Sequence, residues 1–132
     1  MSHKDPAEKK AYQAKYHQEH KKKDNARAIA WHKANPEKSR NNALKYNHGI
    51  TLKQYQKLWD AQRGLCAICG GPETIIDART KQLRWLSVDH NHETGKVRAL
   101  LCANCNTTLG LVMENPEILQ KAIDYLGKYA DK

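Results

Sequence analysis

Polar residues dominate the first half of the chain and apolar ones come singly or in pairs, so the elements there are marked by their ends more than by their faces. Asp5-Pro6-Ala7-Glu8 is a capping box with proline in the first helical position, and neither Gly nor Pro follows until after Ala34. That pattern predicts one helix over residues 6–34, about 40 Å long at ~1.5 Å per residue. Asn35-Pro36-Glu37 repeats the start signal and predicts a helix ending near Gly49. Thr51-Leu-Lys-Gln54 opens a short amphipathic helix, with Leu52, Tyr55, Leu58 and Trp59 on one side and Gly64 closing it. An imperfect period of 15 aligns Ala14-Lys-Tyr16-His17, Ile29-Ala-Trp31-His32 and Leu44-Lys-Tyr46-Asn47. Aromatics at near-helical spacing are expected to pack, so Tyr16, Trp31 and Tyr46 should join basic helices to each other or to the core; stacking on sugar or base faces is the alternative. The first helix has too little apolar surface to be stable alone and is expected to be only partly helical until DNA or a partner chain orders it.

From Leu65 the pattern changes. Gly64-Leu-Cys66-Ala-Ile-Cys69-Gly-Gly71 has the tight glycine-bearing turn of a zinc knuckle, and an irregular stretch runs on to Arg84. Trp85-Leu-Ser-Val-Asp89 reads as a short strand, Glu93-Thr-Gly95 as a turn, and Lys96-Val-Arg-Ala-Leu-Leu101 as the returning strand. A helix from about Cys102 to Gly110 should follow, then a last helix capped by Asn115-Pro116-Glu117 that buries Ile118, Leu119, Ala122, Ile123 and Leu126. The fold class is therefore α+β. The expected division is a basic helical region, 1–63, and a cysteine-bearing region, 64–132.

Charge separates the halves. Residues 1–58 carry fourteen Lys and Arg against five acids, which is the whole formal surplus of +9, while residues 59–132 are balanced at nine of each. A surplus confined to one half is the footprint of a segment that neutralises a polyphosphate, so nucleic acid is the expected partner, with Lys21, Lys22, Lys23, Arg27, Lys33, Lys38 and Arg40 as contacts; a plain solvated surface is the alternative. Lys96 and Arg98, on the returning strand, are read either as phosphate contacts or as plain surface charges. Aromatic content is low and phenylalanine absent, so a large apolar core is not expected. No apolar run approaches the ~20 residues needed to span a bilayer, and no apolar h-region opens the chain, so the expectation is a cytoplasmic protein without membrane contact. Nothing in the pattern indicates a homodimer.

All four cysteines fall in Cys-x-x-Cys pairs, Cys66/Cys69 and Cys102/Cys105, with none left over. Four thiolates from two short turns suit tetrahedral zinc, and in a reducing compartment zinc outranks two disulfides. With a small core, that metal should supply much of the folding free energy, on the order of 10 kcal/mol at neutral pH. Asp89 and His90 end the first strand of the hairpin between the pairs, and Asn106 directly follows the last cysteine. One carboxylate and one amide oxygen suit a hard cation, Mg²⁺ or Mn²⁺, with room left for water and phosphate. His90 has the near-neutral pKa suited to a general base, and His92 reads by position as a hairpin-loop residue.

Val88-Asp-His-Asn-His92, Gly95-Lys-Val-Arg98 and Leu101-Cys-x-x-Cys-Asn106, with the upstream Cys-x-x-Cys, closely resemble the recombination endonuclease VII family, phage-type nucleases within the His-Asn-His, or ββα-metal, group. The resemblance covers about residues 64–112. It implies a small zinc-stabilised ββα-metal nuclease module behind the basic helices, with a C-terminal helix after it. It also implies that Asp89 and Asn106 hold the catalytic cation, that His90 is the base, that His92 matches a further motif histidine, and that the cysteines bind structural zinc. Endonuclease VII itself has an acid three positions after the metal-binding asparagine, where this chain has Leu109, and it places its nuclease module first. The expected activity is metal-dependent DNA cleavage to 5′-phosphate and 3′-hydroxyl ends. The alternative is a non-catalytic, zinc-containing DNA-binding protein in which the hairpin is only a scaffold.

Overall fold

Seven elements follow one another in the computed structural model, which describes residues 5–131: α1 (Pro6–Ala34), α2 (Pro36–His48), α3 (Leu52–Ala61), β1 (Ser87–His90), β2 (Val97–Leu101), α4 (Ala103–Leu111) and α5 (Pro116–Lys128). The α+β expectation holds. The chain divides into two compact units, Met1–Ala43 and Leu44–Lys132, with the boundary inside α2. No helix among the described residues is long and apolar enough to cross a membrane.

In the first unit, Asp5 caps α1 by accepting from the Ala7 N–H at 2.9 Å, with Pro6 at the first helical position. The helix runs unbroken although none of its residues is buried, so local pairing and the cap hold it rather than a core. The Asn35 amide closes it by donating to the Trp31 carbonyl at 3.0 Å, and His32 Nδ1 meets Ser39 Oγ of α2 at 2.7 Å. The expected packing of the aromatic series is not found: Tyr16 is 47%, Trp31 42% and, in the second unit, Tyr46 92% exposed. Tyr16 instead stacks on His20 one turn along its own helix, with ring centroids 3.9 Å apart.

The second unit is built on a small core of Leu44, Tyr55, Leu86, Val88, Leu100, Leu101 and the buried cysteines Cys66 and Cys102. Thr51 and Gln54 form the predicted capping box of α3. From that helix the Tyr55 hydroxyl donates to the Leu86 carbonyl at 2.8 Å, a satisfied polar tip on a buried ring. Gln62, just past α3, bonds both sides of Leu100: its Nε2 donates to the Leu100 carbonyl at 2.9 Å and its Oε1 accepts the Leu100 N–H at 2.9 Å. A side-chain amide thus stands in for a third strand beside β2. Gly64 has a φ of +70°, and a Cβ there would meet the Trp59 ring at 2.7 Å, so the turn into the first cysteine pair needs glycine.

β1 and β2 are antiparallel, pairing Ser87 with Leu101, Val88 with Leu100 and Asp89 with Ala99. The next pair is His90 with Val97, so Arg98 is the extra residue of a bulge. The first strand is shorter than the sequence pattern implied: Trp85 and Leu86 precede it, Leu86 in the core and Trp85 exposed. One further expectation fails at the other end. No residue of α5 is buried, and Ile118, Ile123 and Leu126 are exposed, so its apolar stripe covers no core among the described residues.

Candidate metal and catalytic site

The four cysteines meet as the spacing requires. Their Sγ atoms all lie within 4.8 Å of one another, and Cys69 Sγ is 3.9 Å from Cys102 Sγ. Burial pushes the Cys66 thiol up, but N–H and thiol hydrogen bonds from Cys102, Cys69 and Ile68 outweigh it and bring the pKa to about 6. Burial and the neighbouring sulfurs push Cys105 up to about 12. Four sulfurs this close cannot all ionise without a cation among them, so the donor set and its electrostatics both fit a thiolate-bound metal. Cys102 also caps α4, its sulfur accepting the Cys105 N–H at 3.5 Å.

Glu73, which sequence reasoning passed over, ties this cluster together. It is 6% exposed, its Oε1 accepts the Thr74 and Ile75 N–H groups at 2.9 and 3.0 Å, and its Oε2 accepts the Ala103 N–H at 2.7 Å. The carboxylate therefore sits on the first turn of α4, where the helix dipole favours an anion, and fixes the loop after the first cysteine pair to the helix carrying the second. Its binding partner is thirty residues away, so no local pattern announces it.

The hairpin between the two cysteine pairs carries the second cluster. Asp89 is 7% exposed and takes a two-pronged ion pair from Arg98, Nε to Oδ2 at 2.6 Å and Nη2 to Oδ1 at 3.0 Å. The bulge makes that possible by letting Arg98, on the neighbouring strand, reach across to Asp89. Read from sequence as a phosphate contact or a surface charge, Arg98 is committed to partners within the chain; the Asp89 hydrogen bond, opposed by burial and aided by that of Glu114, holds its pKa above the ordinary arginine value. The His90 ring faces His92 at 4.7 Å between centroids and His48 at 5.8 Å. Asn91 shapes the turn that follows, accepting the Glu93 and Thr94 N–H groups at 2.8 and 3.0 Å. Asn106 is half-buried within α4, and that helix packs against both strands. Lys96 is exposed at the hairpin turn. Lys21, Lys22, Lys23, Arg27, Lys33 and Lys38 are exposed in the first unit, and Arg40 there is half-buried.

Two further residues join the hairpin cluster unannounced. His48, at the end of α2, has a buried Nδ1 without a hydrogen-bond partner among the described residues, and burial, followed by the charge of His90, lowers its pKa from 6.5. Glu114 accepts from Arg98 Nη2 at 2.9 Å and lies 3.3 Å from His92 Nε2. A buried carboxylate and clustered imidazoles thus share one hairpin, and the helix that carries Asn106 packs against its strands.

The family model described as recombination endonuclease VII matches residues 41–128. The Gene 59 protein of Mycobacterium phage D29 is 46% identical over 82 residues, covering 61% of this chain and 46% of that protein. The Gene 59 protein of Mycobacterium phage L5 is 44% identical over 80 residues, covering 60% of this chain and 44% of that protein. The chain thus spans less than half the length of these curated relatives. Among solved structures, the ββα-Me type II restriction endonuclease Hpy99I is similar at 31% identity and a TM-score of 0.41, over 67% of this chain and 48% of that one.

Proposed function

The chain belongs to the recombination endonuclease VII family, and from that membership we propose that it is a metal-dependent DNA endonuclease whose working residues are Asp89, His90 and Asn106. The observation that carries this reading is the company of Asp89: a buried carboxylate at the end of a hairpin strand, next to His90, with the helix of Asn106 packed on the same strands.

His90 takes the proton from the attacking water, and its ring lies against those of His92 and His48. The carboxylate of Asp89 and the amide oxygen of Asn106 are the ligands for Mg²⁺ or Mn²⁺, which when bound supplies positive charge for the phosphate and the leaving 3′ oxygen. Hydrolysis then leaves 5′-phosphate and 3′-hydroxyl ends. Cys66, Cys69, Cys102 and Cys105 hold zinc as a clamp, with no part in the chemistry. The exposed lysines of α1 bind phosphates without reading bases, a role that suits a helix with no apolar face.

The test is cleavage of labelled duplex, flap and four-way-junction DNA with Mg²⁺ or Mn²⁺, with and without chelator, followed by end mapping. Metal-dependent cuts bearing 5′ phosphates are expected. Binding without cleavage of any substrate would leave the non-catalytic DNA-binding reading in its place.

A further inference from the structure

Glu114 reaches the hairpin through an unusual piece of backbone. Met113 and Glu114 are successive non-glycine residues with φ of 53° and 52°, the left-handed region that side chains disfavour. The turn brings the Glu114 N–H to the Leu109 carbonyl at 2.8 Å and folds the side chain back over the hairpin. There its Oε1 shares the Nη2 group of Arg98 with Asp89, at 2.9 Å against 3.0 Å. Arg98 therefore has two carboxylate seats, a nearly buried one at Asp89 and a more open one at Glu114, whose side chains are 10% and 26% exposed.

A guanidinium on both oxygens of Asp89 neutralises its charge and takes one lone pair of each oxygen, so it competes with a divalent cation for the same carboxylate. For Asp89 to serve as a strong cation ligand, Arg98 must loosen its hold. Glu114 already holds the swinging nitrogen, so the guanidinium can leave Asp89 without becoming unpaired or departing from the site. We propose that Glu114 is a positioning residue acting through Arg98: it is the seat Arg98 keeps when Asp89 is released to a divalent cation. This rests on the reading of Asp89 as a cation ligand and extends it to how that ligand is freed.

Two substitutions should then act in opposite directions. Glu114→Gln leaves Asp89 as the only carboxylate for Arg98 and weakens cation binding; Arg98→Met removes the competitor and strengthens it. Once Arg98 is gone, Glu114 keeps only its contact with His92 and no longer acts on Asp89, so Glu114→Gln should change cation binding no further. A merely structural role would weaken binding in both single variants, and a direct effect of the Glu114 charge would persist in the double variant.

The experiment is calorimetric titration of Mn²⁺, without DNA, into the full-length, zinc-loaded wild type, both single variants, the double variant and Asp89→Asn. Expected are a loss of roughly 5- to 10-fold in affinity for Glu114→Gln, a comparable gain for Arg98→Met, and a double variant within about twofold of Arg98→Met. An unchanged Glu114→Gln, or an equal loss in the Arg98→Met background, overturns the proposal while Asp89→Asn still abolishes binding and upholds the site. If Asp89→Asn binds Mn²⁺ like the wild type, the cation is not at Asp89 and the underlying reading falls too. The Arg98 Nε–H resonance of the wild type gives a check that needs no substitution: it should move on addition of Mg²⁺, and a fixed resonance overturns the proposal.

Discussion

Glu73 carries more of the fold than its place in an irregular loop would imply. Its carboxylate accepts three backbone N–H groups, one of them at the start of α4, while 6% exposed. Glu73→Ala should strand those donors and destabilise the second unit by roughly 2 kcal/mol or more, read as a shift in the urea midpoint of tryptophan fluorescence. A shift worth under about 0.5 kcal/mol would mean that the carboxylate is not a clasp. His48 offers a pH test. Its pKa is lowered from 6.5 in the folded chain, so the unfolded chain binds more protons; the stability of neutral His48 is complete above 6.5 and lost as pH falls below it. Between about pH 7 and 5.5 the wild type should lose stability faster than His48→Gln. Parallel curves would show that the burial of this ring does not bear on folding.

At the scale of elements, what is legible in the sequence is local and what escapes it is not. Asp5, Thr51 and Asn115 each cap the helix they announce, because a cap is settled within three or four residues. The cysteine pairs converge because a Cys-x-x-Cys turn aims two sulfurs at one point whatever surrounds it. Glu73, Glu114 and His48 act across gaps of sixteen residues or more, on Ala103, Arg98 and His90, and no periodicity carries such pairings. The bulge at Arg98 is hidden for a related reason, since β2 reads as an ordinary strand and only its pairing with β1 reveals the extra residue. The apolar stripe of α5 is plain in the sequence and its exposure is not, because an amphipathic pattern says that a face wants cover without saying that this chain provides it. α1 shows the converse, a helix with no face to bury and a row of cations to present. Replacing Lys21, Lys22, Lys23 and Arg27 by Gln should weaken DNA binding on all sequences alike, with the slope of log K against log salt falling by about 0.9 for each phosphate no longer neutralised. An unchanged slope would place phosphate binding elsewhere on the chain.

Across the whole molecule, charge and chemistry are kept apart. The N-terminal part holds the surplus of +9, while the half that bears the cysteines and the hairpin is neutral. That neutral half brings four sulfurs together in one metal-binding cluster, and in the proposed reading the oxygens of Asp89 and Asn106 take a second cation that meets a phosphate. Glu73 and the cysteines fix α4 to the loop before the hairpin, α4 packs on both hairpin strands, and the hairpin carries Asp89 and His90. If that arrangement serves catalysis, the proton acceptor can be removed without disturbing either the fold or the hold on DNA. The direct measurement is Mg²⁺-dependent cleavage by zinc-loaded His90→Ala beside the wild type, on whichever DNA the wild type cuts, with binding followed in parallel. A loss of about 10²-fold or more in rate at unchanged affinity is expected. Wild-type cleavage by His90→Ala would contradict the assignment of this hairpin as the active site.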